Sequence, residues 1–433
     1  MFRKYVLLFL SAGFSLMMVV GGAQAQATDP PAPASADPPA QTPAAQSPAA
    51  QPPAPPRLDI YGFVMTDGGF DFRSIDPNWF DVNRPSKLPS FRDEFGRNDR
   101  TYAGVRQTRF GVKGSEHTPL GELKTHFEFD MFGVGADAGQ TTIRPRHFYG
   151  ELGAFGAGQT HSPFMDIDIF PNILDYWGPN GMVFFRNVQV RWMPIRGDTR
   201  LTVALERPGS TQDPGILANR IEIQNVRARY PLPDISGEYR YAWNHGPVQG
   251  YVKGSGIFRK IKLDDLLKHD VTNLDDSLTA WGATLSSNLK VGKDVLRLQY
   301  VYGDGIENYM NDAPVDVAAK PNFGNRLRPV RGRALPMQSL VAYLDYSWTN
   351  KWSSSAGYSQ LVVSNTILQN PNDFHLGQYA TANLLYSPFE HLMYGGEVQW
   401  ARRTNFGDGF HANDYRIQFS FRYNFSAQIG GSK

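Results

Sequence analysis

Residues 415–425, YRIQFSFRYNF, put an aromatic or aliphatic side chain at every second position (Tyr415, Ile417, Phe419, Phe421, Tyr423, Phe425). The positions between them, Arg416, Gln418, Ser420, Arg422 and Asn424, are all polar. Strict alternation predicts a β-strand, because successive side chains point to opposite faces. One face of this strand wants an apolar surrounding and the other wants water. The same period recurs along the chain. Phe110 and Val112 stand against Arg109 and Lys113. Leu123, Thr125, Phe127, Phe129 and Met131 stand against Lys124, His126, Glu128 and Asp130. It continues in "NVQVRW", "RLTVALE", "EYRYAW", "VLRLQYVY", "LVAYLDYSW" and "EVQW". The predicted strands are 57–72, 106–115, 121–132, 143–153, 154–162, 184–194, 199–207, 235–244, 248–262, 278–289, 294–303, 337–349, 352–363, 378–387, 391–403 and 414–425. The strand around "IRPRHFYGELG" alternates poorly and its faces stay unassigned.

Two features separate a membrane barrel from a soluble sandwich. Tyr, Trp and Phe gather near the strand ends on the apolar faces, as interfacial girdles require. Connections also alternate in length: tight turns such as "NHGP" and "KVGKD" interleave with long polar stretches at 73–105, 161–183, 207–234 and 303–336. Short turns on one side and long loops on the other describe an outer-membrane barrel. The fold class expected is all-β: a sixteen-stranded antiparallel transmembrane β-barrel over 57–425, followed by a short extension, 426–433. Eighteen strands stay open if "IEIQNVRARYP" at 221–231 adds to another hairpin.

The N-terminus fits export. A basic start (Arg3, Lys4), an apolar run to Val20 and an Ala-Gln-Ala ending read as a signal peptide over 1–25, with cleavage after Ala25 or alternatively Ala27. No later run reaches the ~18 apolar residues of a spanning helix. Residues 26–56 hold 11 Pro and 10 Ala among 31 positions. That composition cannot bury a core and predicts a polyproline-like periplasmic tether reaching about 90 Å. It is expected to act as a spacer or as a periplasmic contact with cell wall or a partner. The chain has no Cys, and its net charge of +2 gives no argument for nucleic acid as a partner.

Two stretches, "RFGVKGSEHTPLGELKTHFEFDMFG" (109–133) and "RHFYGELGAFGAGQTHSPFMDIDIFPNILDYWGPNGMVFFRNVQVRW" (146–192), resemble the DcaP-type outer-membrane porins. That resemblance implies a trimeric sixteen-stranded channel for dicarboxylates and other small organic anions. It also implies that 161–183 folds inward as a constriction loop, carrying Asp166, Asp168, Asp175 and Tyr176. Family members often begin with a coiled coil, where this chain has its Pro/Ala tether.

Faces assigned by alternation put nine bases in the lumen: Arg109, Lys113, Lys124, Arg191, Arg200, Arg240, Arg297, Arg416 and Arg422. Six acids oppose them, Glu128, Asp130, Glu206, Glu238, Asp345 and Glu397, and His126 adds a donor. Arg presents a planar fork that matches carboxylate or phosphate. A basic excess favours anions, so these residues are the expected pore-lining and substrate-binding set. The competing reading is a mixed network that hydrates and stiffens the wall. Arg326, Arg328, Arg331 and Arg333 crowd one loop, which either gathers anions, binds lipopolysaccharide phosphates or is merely solvated.

No phosphate loop, zinc motif or nucleophile elbow is present, so neither enzyme chemistry, cofactor nor metal is expected. The Asp166–Asp168 pair lacks the rest of a calcium loop. Adjacent His161 and Ser162 point to opposite faces and cannot form a catalytic pair. Expected partners are outer-membrane lipid and lipopolysaccharide, two further copies of the chain, and small anions. Alternatives are a phosphate or non-selective porin, and a barrel anchoring the envelope through its tether.

Overall fold

A strand facing lipid cannot leave backbone N–H and C=O groups unpaired, so alternating segments must close on themselves. The computed structural model describes residues 55–133, 142–267 and 271–431. All of these belong to the second of two units, Pro53–Lys433. The expected signal peptide and nearly all of the tether lie outside the described residues.

Sixteen strands form the ring. They are β1 Arg57–Asp71, β2 Arg109–Thr118, β3 Gly121–Asp130, β4 Arg144–Leu152, β5 Phe155–His161, β6 Arg186–Ile195, β7 Arg200–Glu206 and β8 Asp234–His245. The second half is β9 Val248–Asp265, β10 Asp276–Val291, β11 Asp294–Asp304, β12 Pro336–Ser347, β13 Trp352–Val363, β14 Phe374–Phe389, β15 Leu392–Asn405 and β16 His411–Gly430. Each pairs antiparallel with the next. β1 closes on β16 along its whole length, from Arg57↔Gly430 to Asp71↔Arg416. No helix among the described residues is long and apolar enough to cross a membrane; the strands cross instead.

Three departures from the sequence reading have physical causes. The pairing of β16 does not stop at Phe425: Ser426 to Gly430 continue it against Tyr61 to Arg57, so most of the expected extension is strand. The eighteen-strand alternative is not realised. Residues 221–224 form one helical turn, and Val226–Arg229 pairs with the outer end of β9 above β8. Poor alternation in β4 comes from a bulge. Glu128 pairs with His147 and Phe129 with Pro145, leaving Arg146 as the extra residue. A bulge re-aims side chains locally, and here both Arg146 and His147 are buried on the inner side.

The wall is uneven in height. β5 and β7 have 7 residues each, whereas β9 has 18 and β16 has 20. Nor is the inner face uniformly polar. Ile257, Val301, Met337, Val341, Leu361 and Val363 point inward and form one cluster with Phe164, Met165, Ile169, Met182 and Val183. A loop folded into the barrel therefore has an apolar seat. Each such fully buried side chain contributes roughly 1.5–3 kcal/mol.

At the seam, the Arg416 guanidinium is fully buried against Asp71, with Nη2 to Oδ2 at 3.0 Å, and donates to the Phe80 carbonyl at 2.9 Å. Removing one partner of such a pair strands a buried charge. Arg416→Ala is expected to lower stability by roughly 3–5 kcal/mol, read from the urea unfolding midpoint of the liposome-embedded barrel.

Candidate functional site: the constricted lumen

The chain between β5 and β6, residues 162–185, enters the barrel and lies against one half of its wall. Lys253 Nζ donates to the Met165 carbonyl at 2.6 Å, and Asn288 donates to the Asp168 carbonyl at 2.7 Å. Asp345 accepts from the Asn172 amide (3.2 Å), while Glu397 accepts from the amides of Leu174 (2.7 Å) and Asp175 (3.0 Å). Ser339 and Ser359 hold Gly181, and Gln299 accepts from the Val183 amide. Gln418 and Gln107 both donate to the Leu174 carbonyl. Except for Gln107, these anchors sit on β9 to β16. A backbone buried away from water must find partners, and the wall supplies them.

The loop's own acids are consumed in the same way. Asp166 accepts from the Tyr251 hydroxyl at 2.9 Å and from Ser286, while Asp168 pairs with Arg240. The two carboxylates of the Asp-x-Asp pair therefore face different partners. Among the described residues no group of three or more His, Cys, Asp or Glu is placed to hold a metal ion. Asp175 accepts from the Tyr379 hydroxyl at 2.7 Å. Tyr176 reaches the other way, across the lumen, and its hydroxyl donates to Asp130 at 2.5 Å.

Space remains on the opposite side, against β2 to β6. One cavity of about 450 Å³ lies toward the long loops and is lined by Arg84, Arg144, Tyr176, Trp177, Arg186 and Glu307, among others. Another of about 420 Å³ lies toward the short turns, lined by Lys113, Lys124, His126, Tyr149, Glu151 and Arg191 with their neighbours. Between them runs a basic band. Arg146 bridges Glu128 (2.5 Å) and Asp130 (2.9 Å), and Arg144 holds Asp130 at 2.8 Å. The His126 and His147 rings stack at 4.4 Å, and His161 meets His147 edge-on at 4.6 Å. Arg186 Nη1 is buried without a hydrogen-bond partner. In the outer cavity, burial holds Glu307 well above the usual carboxylate range.

The expected pore-lining residues divide into two groups. Arg109, Lys113, Lys124, His126 and Arg191 come together on the open side. Arg191 donates to Gln189 and to the His161 carbonyl, and Lys113 sits 5.0 Å from the Tyr61 ring centre. Arg109 is 3.8 Å from Glu128, and Lys124 pairs with Glu122 at 3.0 Å. Arg422 lies over Phe63 and donates to Asn424. The others are tied up elsewhere. Arg200 binds Glu238 at 3.1 Å, Arg297 binds Asp345 at 2.7 Å, Arg240 holds Asp168, and Arg416 is locked at the seam. Sequence reasoning missed Arg84, Arg144, Arg146, Arg186 and His147. The bulge hid those on β4, although the "RPRH" run was itself a signal of charge where a strand should alternate. Ser162 donates to Glu206 at 2.5 Å and makes no pair with His161.

A closed ring with an apolar exterior, a polar interior and a loop narrowing the passage defines an outer-membrane channel, not an enzyme. The chain belongs to the DcaP outer membrane protein family, whose model matches residues 56–425. The outer membrane channel DcaP of Acinetobacter baumannii is similar in structure, with a TM-score of 0.69 at 21% identity over 85% of this chain and 97% of that one. An anion-selective porin from Comamonas acidovorans gives 0.50 at 11% identity (85% and 99%), and Salmonella typhi OmpF in complex with daunomycin gives 0.51 at 12% (85% and 97%). No curated protein sequence matches the chain.

The attachment of the loop carries a pH dependence. Burial pushes Asp175 up to about 7, against the pull of Arg416, whereas released to water it returns to about 4. The seated loop thus binds more protons between those values, so its attachment weakens as pH rises from about 4 to 7 and is level above. Open-channel current noise is expected to increase from pH 5 to pH 7.5, and Asp175→Asn is expected to remove that increase.

Proposed function

We propose that this porin favours small organic anions, dicarboxylates among them, by passive diffusion. One observation supports the reading: the loop covers the acids of β9 to β16, and the two cavities left against β2 to β6 carry more bases than acids. One has Arg84, Arg144 and Arg186 against Glu307, and the other has Arg57, Lys113, Lys124 and Arg191 against Asp59, Glu122 and Glu151. Asp345 and Glu397 are occupied by loop amides and by Arg297, while Arg186 and Arg191 make no ion pair among the described residues. A carboxylate moving inward meets Arg186 in the outer cavity, the Arg144–Arg146 band, then Arg191 and Lys113 in the inner one. Fixed cations along a narrow path lower the barrier for anions without making or breaking a bond. Two stations in series suit a solute with two carboxylates.

The same reading includes a trimer seated on the low wall. β5 and β7, at 7 residues, are shorter than the ~9–11 that a strand needs to cross the hydrocarbon. Phe127, Phe148, Phe155, Val190 and Trp192 stand exposed on that side. A neighbouring copy covers such a face better than lipid does. The envelope-anchor alternative rests on residues 26–56 and draws no support from the barrel.

Reversal potentials in a planar bilayer under a KCl gradient test the selectivity. A Cl⁻ preference is expected, falling by about threefold in Arg186→Ala or Arg191→Ala, the effect of one unit charge some ~6 Å away in water. Arg297→Gln is expected to change it less. A K⁺ preference in the unmodified channel would overturn the anion reading and leave the channel standing.

A further inference from the structure

β9 leaves the short turn at 246–247 and rises toward the long-loop side, and its outward face changes character near the top. Phe258 stands between Ile235 and Trp281, and the Trp281 ring lies 5.8 Å from Tyr302. These side chains form the outer aromatic belt, where hydrocarbon gives way to headgroups. The next outward positions are Lys260, Lys262 and Asp264. Lys260 is opposite Thr279, with Nζ to Oγ1 at 3.2 Å. Lys262 is opposite Ser277 on one side and Arg229 on the other. Arg227 is opposite Asp264, which Arg229 also binds, with Nη2 to Oδ1 at 2.9 Å.

Four bases thus stand at this height with Asp264, with Asp275, whose charge also reaches Arg229, and, one strand beyond β10, with Asp304 opposite Trp281. Arg229 and Lys262 face each other directly, and like charges placed so destabilise a sheet. Lysines on the membrane side of a strand, just beyond an aromatic belt, have no protein core to serve. What stands at that depth in the outer leaflet is a phosphorylated headgroup. We propose that Lys260, Lys262 and Arg229, with the Ser277 and Thr279 hydroxyls, bind the phosphate of an acylated, phosphorylated glycolipid of lipid A type. Its chains run down over Phe258, Trp281 and Ile235. The site lies outside the barrel and is independent of the solute path.

Native mass spectrometry of the detergent-purified barrel with added bisphosphorylated lipid A tests this. The wild-type protein is expected to retain the lipid, and the double variant Lys260→Gln/Lys262→Gln to bind it about thirtyfold more weakly. Dephosphorylated lipid A is expected to bind as weakly to both. Unchanged single-channel conductance of the variant shows that the barrel is intact. Equal affinity of both proteins, or equal binding of the dephosphorylated lipid, would overturn the site. Displacement of lipid A by millimolar inorganic phosphate would overturn the lipid in favour of a free phosphate site.

Discussion

Hydrocarbon offers no hydrogen-bond partners, so the molecule depends on the ladder between its first and last strands. The β1–β16 seam runs from Arg57↔Gly430 to Asp71↔Arg416 and leaves no open edge between them. Once the ring is closed, every second residue must face inward, and the chemistry of the lumen follows from that parity. The seam also explains the fate of Arg416. Beside Asp71, with Tyr102 under its guanidinium at 4.5 Å, it serves closure and has no freedom left for a solute.

The second organising element is the loop that lies on β9 to β16. It is held by polar anchors at intervals and by an apolar seat, Val341 and Leu361 against Met182 and Val183 among others. Polar anchors fix its position, and the apolar contacts supply most of the attachment energy. Because the loop needs partners for its own amides, it uses up wall carboxylates that sequence alone counts as lumen charge. The electrostatic asymmetry of the passage is thus a by-product of how the loop is satisfied.

Much of the fold was legible because lipid enforces alternation. Sixteen strands and the alternation of loop lengths follow from period and turn residues, with boundaries off by a few positions. The site was legible only in part. Arg191, Lys113 and His126 sit on strands with clean alternation, and they do line open space. Arg240 and Arg297 look identical to them in sequence, yet Arg240 is tied to Asp168 on a loop whose path no strand period encodes, and Arg297 to Asp345 on the neighbouring strand β12. Arg146 and His147 were invisible for the opposite reason: one inserted residue put neighbours on the same side. Val341 and Leu361 broke the polar-inside rule, since their solvent is the loop and not water.

The uneven parity of β4 has a further consequence for how such a protein can change over time. On β9, β10 and the other regular strands, inner and outer residues interleave, so permeation and membrane contact are written in separate alphabets and drift independently. At the Arg146 bulge two successive residues, Arg146 and His147, both face the passage. Deleting that one residue would leave Arg144, His147 and Tyr149 facing inward in unbroken alternation, whereas deleting one residue from a regular strand would turn one of its halves toward the membrane. Substitutions elsewhere on the wall tune the passage by degrees, whereas this point can lose one residue without rewriting either surface.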